Sequence, residues 1–214
     1  MKTVLILSFL VYFWGNVQAI NPEFETVVLE TVDQLYRDQT IETGQSCVGK
    51  LERIVAAHPK RWEGYYYLAY ARITLSFRVS NGDQKDAILD QAEADIKQSM
   101  ALGGDASELQ ALQAYVYQGR IAVNGLRGMK YSGMASEALE KALRLNPDNG
   151  RAHFLLGMNV YHTPSMFGGG EKNALPHFEK AMTCFTNNSE EPTIAPHWGK
   201  EITLNMIEKC EQGE

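Results

Sequence analysis

A helical phrase occurs three times in this chain: a small residue, three residues of any type, a bulky residue, two of any type, and a second small residue. The copies span 92–99, 135–142 and 174–181, and Pro147 closes the second copy. Small residues seven positions apart lie close to one helix face, where a neighbouring helix can approach closely. Recurrence of such a phrase is typical of stacked helix pairs, which bury a continuous core through their neighbours. The pattern therefore predicts an all-α fold that presents a binding surface.

The segments before these copies follow a second pattern. It reads Tyr65, Leu68 and Ala69 before the first copy, and Leu156-Gly157 before the third. Together the two patterns resemble the skeleton of the tetratricopeptide repeat (TPR), over residues 43–185. The resemblance implies a right-handed α-solenoid of TPR-like helix hairpins. The small residue Gly157 predicts a close helix crossing, at which we expect alanine to be tolerated and leucine to be disruptive.

The distance between the two halves of each repeat is longer than in the TPR family, and we place the extra residues in enlarged turns inside the repeats. These turns are predicted at 80–83, 124–133 and 163–170. In a solenoid such turns lie along one edge. Long loops on one edge are either functional or an inert flexible border, and the sequence leaves both open.

Start and stop signals give nine helices, four hairpins and a C-terminal capping helix. The predicted ranges are 22–39, 44–57, 62–79, 85–102, 106–123, 136–145, 149–162, 173–185 and 195–211. Residues 20–214 are predicted to form one TPR-like helical repeat domain. This length suffices to bury a core without disulfides or metals.

Residues 1–19 have the pattern of a secretory signal peptide. Lys2 gives a positive start, an apolar run follows from Val4 to Trp14, and Val17-Gln-Ala19 fits a cleavage site. The alternative is an uncleaved anchor. We expect an exported protein, periplasmic if the source is a Gram-negative bacterium. The net charge of −6 argues against a nucleic-acid partner, which prefers a basic face.

The sequence offers little catalytic or metal-binding chemistry. No two histidines are spaced three or four residues apart, and no Cys-x-x-Cys motif occurs. We therefore expect no metal, no cofactor and no enzymatic activity. The three cysteines Cys47, Cys184 and Cys210 are an odd number, and the state of a Cys184–Cys210 pair stays open.

An aromatic face is the strongest candidate for a binding site. Members of the TPR family bind their ligands in a concave groove lined by the first helix of each pair. Carried over residue by residue, this resemblance implies a site made of Tyr66, Tyr70, Tyr115, Gln118, Arg151, Phe154, Met158, Tyr161 and His162. Tyrosine, phenylalanine and methionine suit recognition surfaces. In the competing interpretation these residues pack against other helices and no open groove exists.

Two classes of function fit such a face. The first is an interaction module that binds a peptide, a protein partner or another copy of the chain. The alternative is a helical solenoid that holds a small apolar ligand. The segment from Thr163 to Gly169 weakly resembles the TPR component associated with TRAP transporters, which fits this alternative.

Overall fold

The computed structural model describes residues 22–187 and 194–212, so the predicted signal peptide at 1–19 lies outside the described residues. Within them the chain forms nine α-helices and no strand. The helices are α1 (Pro22–Arg37), α2 (Ile41–Ala57), α3 (Trp62–Arg78), α4 (Gly82–Ala101), α5 (Ala106–Val123), α6 (Gly128–Leu145), α7 (Gly150–His162), α8 (Glu171–Asn187) and α9 (Lys200–Gln212). None of these helices is long and apolar enough to cross a membrane.

Consecutive helices pack as hairpins. The hairpins α1–α2, α3–α4, α5–α6 and α7–α8 follow one another, and α9 packs against α8. The first helices α1, α3, α5 and α7 also contact one another side by side and so form an inner layer. This arrangement confirms the all-α, solenoid-like fold with a terminal capping helix.

The repeated phrase lies at the helix contacts, as predicted. Its small residues Ala92, Ala135 and Ala174 have no exposed surface, and neither have the bulky residues Leu139 and Phe178. Each alanine leaves room for the partner helix of its hairpin, and the bulky side chain fills the space beside it. Burying a side chain of this size contributes about 1.5–3 kcal/mol.

Polar residues fix the starts of four helices. Thr40, Asn81, Asp105 and Asn149 each accept a hydrogen bond from the backbone N–H three residues later. Such a cap contributes about 1 kcal/mol because it satisfies one of the unpaired N–H groups of the first turn. These caps fix the positions at which α2, α4, α5 and α7 begin.

Two of the three predicted enlarged turns are wrong. Helix α4 begins at Gly82, and α6 begins at Gly128 after a short 3-10 turn, so most of the extra residues lengthen helices. Tyr131 holds the added part of α6 in place, because its ring stacks on Tyr117 of α5 with the centroids 6.0 Å apart. The segment 163–170 is the exception: it stays outside the α-helices and contains a single 3-10 turn.

The predicted close crossing at Gly157 is present, but it is tighter than expected. A Cβ atom at this position would lie 2.5 Å from Cε1 of Phe178 on α8. The Phe178 ring has no exposed surface, so it cannot turn aside without disturbing packed neighbours. The expectation that alanine is tolerated at position 157 is therefore wrong.

Candidate functional site

A short segment crosses the inner layer of the solenoid. We call residues 194–199, between α8 and α9, the strap. Its Trp198 is only 2% exposed. The indole ring stacks on Tyr70 of α3 and on Tyr115 of α5, with centroid distances of 4.7 and 5.9 Å. Its Nε1–H donates a hydrogen bond of 2.8 Å to the Tyr66 hydroxyl. The strap therefore fills the concave face with an aromatic side chain of its own.

A buried polar network lies below the indole. The Tyr66 hydroxyl donates to Glu108 Oε2 at 3.0 Å. Arg151 binds the same carboxylate with two hydrogen bonds, of 2.7 and 2.8 Å. Burial alone would lower the pKa of Arg151, but the Glu108 carboxylate outweighs this effect and raises it. The positive charge of Arg151 is therefore neutralised within the fold rather than presented to a ligand.

Two further tyrosines anchor the strap. The Tyr67 hydroxyl donates to the carbonyl oxygen of Ala195 at 2.9 Å and lies 2.8 Å from Nδ1 of His197. The backbone N–H of Gly199 donates to the Tyr36 hydroxyl on α1 at 3.1 Å. Burial raises the pKa of Tyr36 to about 12, so this hydroxyl stays neutral at physiological pH. The strap thus joins the carboxy-terminal part of the chain to α1 and α3.

The concave face is filled rather than open, which corrects the predicted groove. Tyr66, Tyr70 and Phe154 are buried, with 0%, 5% and 3% of their surface exposed. Trp198 covers the first two, and Phe154 packs against Phe178 of α8, with the ring centroids 6.1 Å apart. The expectation that these rings line an open groove is wrong.

The other predicted site residues are placed differently. Tyr115, Gln118, Arg151, Met158 and Tyr161 are half-buried, and His162 is exposed. Gln118 donates to the carbonyl oxygen of Leu155 at 2.8 Å and so joins α5 to α7. These contacts do not test whether the residues bind a ligand, so their role in binding stays a prediction.

An open cleft lies beside the strap, where the two ends of the solenoid approach each other. Its volume is about 590 Å³. The lining residues come from four elements: Asp33, Tyr36 and Arg37 of α1, Met182 of α8, His197 and Gly199 of the strap, and Lys200, Glu201 and Leu204 of α9. The cleft combines apolar side chains with two cations, two carboxylates and one imidazole.

The charges in the cleft are not all neutralised. Arg37 pairs with Asp33 at 2.5 Å on the surface of α1. Lys200 has no ion-pair partner in residues 22–187 or 194–212. Lys200 is exposed at the start of α9, so its ammonium group remains available to an anion.

Sequence reasoning missed the cleft and the strap. The sequence predicts residues 195–199 as part of the last helix, and the predicted site contains none of the residues that line the cleft. A signal was present: Pro196 and Gly199 flank Trp198, and both residue types interrupt helices. An isolated tryptophan between two such residues indicates a loop that is anchored by its side chain.

The described residues contain no cluster of histidine, cysteine and acidic side chains able to hold a bare metal ion. All three cysteines are free thiols, and Cys47 and Cys184 are buried. Burial raises the pKa of all three thiols, which makes them poor nucleophiles.

No protein-family model, that of the TPR included, matches the sequence, and no curated protein matches it. Among solved structures, the chain is similar to the HusA haemophore from Porphyromonas gingivalis. The two chains are 31% identical and superpose with a TM-score of 0.78, over 93% of this chain and 96% of that one. The repeat architecture is compatible with a TPR-like solenoid, and the likeness to the haemophore extends over 93% of this chain. The chain therefore belongs to the same protein family as HusA.

Proposed function

We propose that this protein is an exported carrier of a haem-type tetrapyrrole. The observation that supports this most strongly is the 31% identity to a haemophore, which extends over nearly the whole of both chains. The small-ligand hypothesis is therefore favoured over the protein-interaction module. Binding and release of the ligand require no catalytic step, and we assign none to this chain.

The cleft beside the strap is the proposed site. Ligand pockets in proteins commonly enclose about 300–1,000 Å³, and this cleft of about 590 Å³ lies within that range. Tyr36, Met182 and Leu204 offer apolar surface to the face of a flat macrocycle. Haem also carries carboxylates, for which Lys200 provides a cation at the rim, whereas Arg37 is already paired with Asp33.

The filled concave face argues against peptide recognition by the inner helices. A peptide in that groove would have to displace Trp198, which is stacked between Tyr70 and Tyr115. Displacement would also leave the Tyr66 hydroxyl without its indole donor. A small ligand in the cleft has no such requirement, because the cleft is already open to solvent.

A titration with haemin tests the proposal. We expect saturable binding, seen as a shift of the haem absorption band and as quenching of tryptophan fluorescence. Leu204→Asp places a carboxylate in the cleft next to the ligand carboxylates and should weaken binding at least about tenfold.

Leu145→Asp is the matched control. Leu145 lies at the end of α6, outside the cleft, and is 53% exposed, compared with 46% for Leu204. Both substitutions should leave the fold intact, because both side chains are on the surface. An equal loss of haemin binding in the two variants, or no saturable binding by the parent protein, would refute the proposal.

A further inference from the structure

We propose that one edge of the solenoid is a peripheral membrane-binding surface, which inserts two apolar tips into the interface of an anionic lipid bilayer. The first tip comprises Leu126 and Met129, and the second comprises Met166 and Phe167. This inference goes beyond the proposed function, because it concerns a contact with lipid rather than with the carried molecule. None of the four residues lines the cleft.

The two tips hold the four most exposed large apolar side chains of the described part of the chain. Leu126, Met129, Met166 and Phe167 are 90%, 96%, 83% and 72% exposed, whereas the next large apolar residue, Leu145, is 53% exposed. Single exposed apolar residues are ordinary on protein surfaces, but a group of them on one side of a molecule indicates an interaction site. The tips therefore indicate a partner.

The fold brings the two tips to the same edge. The first tip lies at the turn between α5 and α6, and the second lies at the turn between α7 and α8. Asn159, near the end of α7, donates hydrogen bonds to the carbonyl oxygen of Ser132 and to Oγ of Ser136, near the start of α6. The end of α7 and the start of α6 are therefore neighbours, and the two turns that adjoin them lie side by side.

The backbone of the second tip is fixed. Nδ2 of Asn173 donates hydrogen bonds to the carbonyl oxygens of Gly168 and Gly169, both at 3.1 Å. A Cβ atom at Gly169 would collide with the carbonyl oxygen of Thr163, so only glycine fits where the loop closes on itself. The exposure of the second tip is therefore a built-in property of the loop and not the result of a loose border.

Polar and charged side chains hold the first tip. Oδ1 of Asn124 accepts a hydrogen bond of 2.9 Å from the backbone N–H of Leu126. Arg127 binds both carboxylate oxygens of Asp86 on α4, at 2.8 and 2.9 Å. The cation of Arg127 is thus turned towards the protein, while Leu126 and Met129 on either side of it are turned towards solvent. Side chains on a backbone that is already fixed lose little conformational freedom when they bind a partner.

Lysines beside the tips favour an anionic surface. Lys130 follows Met129, and its Nζ lies 5.1 Å from the centroid of the Tyr131 ring. Lys172 follows the loop of the second tip, at the start of α8. Both lysines are exposed, and neither forms an ion pair with a described residue. Lysine next to apolar side chains is typical of proteins that bind anionic membranes, because the ammonium groups contact headgroups while the apolar groups enter the acyl boundary.

The remaining charges limit the contact to this edge. The net charge of the whole chain is −6, so an anionic bilayer repels the protein as a whole and only the tips can approach it. The carboxylates of Asp83 and Glu171 lie on the same edge, at the starts of α4 and α8. The electrostatic attraction is therefore modest, and we expect the apolar tips to contribute more than the lysines.

The shape of the edge favours a bilayer over a protein partner. Stable protein interfaces bury about 800 Å² on each partner, in one patch of matching shape. Two loop tips do not form such a patch, whereas a fluid lipid interface needs no matching shape.

Cosedimentation with lipid vesicles tests the inference. Vesicles of phosphatidylglycerol and phosphatidylethanolamine should bind the exported form of the protein saturably, and vesicles of phosphatidylcholine should bind it about fivefold more weakly. The tip variant, Leu126→Asp with Met129→Asp, should bind the anionic vesicles at least about tenfold more weakly than the parent. The control, Leu145→Asp with Met100→Asp, replaces the same residue types at the far ends of α6 and α4 and adds the same charge. It should retain the parent affinity within about twofold.

Two further variants separate the second tip from the lysines. Phe167→Ala should weaken binding to anionic vesicles at least about fivefold, because it removes the largest apolar side chain of the second tip. Lys130→Gln with Lys172→Gln should weaken it about fivefold and make it less sensitive to salt, while binding to phosphatidylcholine vesicles stays as in the parent. Thermal melts of each variant establish that it is folded.

Several outcomes would overturn the inference. One is a parent protein that does not bind anionic vesicles, and another is an equal loss of binding in the tip variant and its control. Equal affinity for the two kinds of vesicle would refute the anionic partner. If the parent ignored vesicles but formed dimers that the tip variant could not form, the edge would be a contact between copies of the chain. Haemin plays no part in these measurements, so failure of either proposal leaves the other standing.

Discussion

Replacing Trp198 with alanine should destabilise the whole protein rather than only its C-terminal end. The indole is 2% exposed, and it stacks on two tyrosines that belong to different helices. Truncation of a buried tryptophan to alanine costs about 3–5 kcal/mol, because the cavity it leaves is only partly refilled. For a chain of this size, each kcal/mol lowers the melting temperature by about 2–4 °C. We therefore expect a decrease of about 6–20 °C.

Trp198→Phe separates the contributions of the ring and of its hydrogen bond. It retains an aromatic ring for the stack on Tyr70 and Tyr115 but removes the N–H that donates to Tyr66. Loss of this bond should cost about 1 kcal/mol, in addition to the smaller ring volume. Phe167→Ala is the control, since Phe167 is 72% exposed and its truncation should change stability by no more than about 0.5 kcal/mol.

Urea unfolding followed by circular dichroism measures these differences without relying on tryptophan fluorescence. We expect the free energy of unfolding to decrease in the order Phe167→Ala, Trp198→Phe, Trp198→Ala. If Trp198→Ala cost less than about 1 kcal/mol, the strap would be a loosely attached surface loop. The reasoning about the filled concave face would then be refuted.

Four further substitutions, in three experiments, test other parts of the structure. Gly157→Ala should lower the free energy of unfolding by about 1–3 kcal/mol through overpacking, whereas Gly133→Ala, in open space on α6, should raise it by about 0.5–1 kcal/mol; equal melting temperatures would contradict the close crossing. Lys200→Ala should weaken haemin binding up to about fivefold, and by less at high salt, because an exposed ion pair contributes about 0.2–1 kcal/mol; titrations at two salt concentrations measure this. Burial and His153 lower the pKa of His177, so the unfolded chain binds the proton more tightly, and the contribution of His177 to stability is lost as the pH falls through that lowered pKa. The parent should therefore lose more stability between about pH 7.5 and pH 5 than His177→Gln does, and equal losses in parallel melts would contradict this.

The helices could be predicted from the sequence because their signals are local. The predicted bounds of α5 match the structure, and the small residues of the repeated phrase lie at the helix contacts as predicted. The predicted start of α6 is eight residues too late, because the extra residues of this repeat are placed in a turn at 124–133 that contains Gly128 and Gly133. The contact of Tyr131 with Tyr117 overrides this weak preference, and such tertiary contacts have no local signature in the sequence.

The candidate site could not be predicted in the same way. Trp198 and Tyr66 are separated by 132 positions, and no periodicity relates a tryptophan in a loop to a tyrosine on a helix so far away. The TPR resemblance predicts that the tyrosines of the inner layer form a surface for an external partner. For Tyr66 and Tyr70 the partner is instead Trp198, a residue of the same chain. The last helix begins at Lys200 rather than at residue 195, because Gly199 has a φ of 107° that ends the preceding loop.

The strap also determines the order in which the parts of this protein can fold. In most solenoids each repeat contacts only its neighbours, so folding can spread from any point along the chain. Here the four hairpins can form from contacts close in sequence, but the rings of Tyr66 and Tyr70 stay in contact with water until residue 198 reaches them. Closing so long a loop is a late event in folding. A chain that ends before the strap would have its helices in place and an uncovered aromatic surface, so we expect C-terminally shortened products to self-associate rather than to remain dispersed.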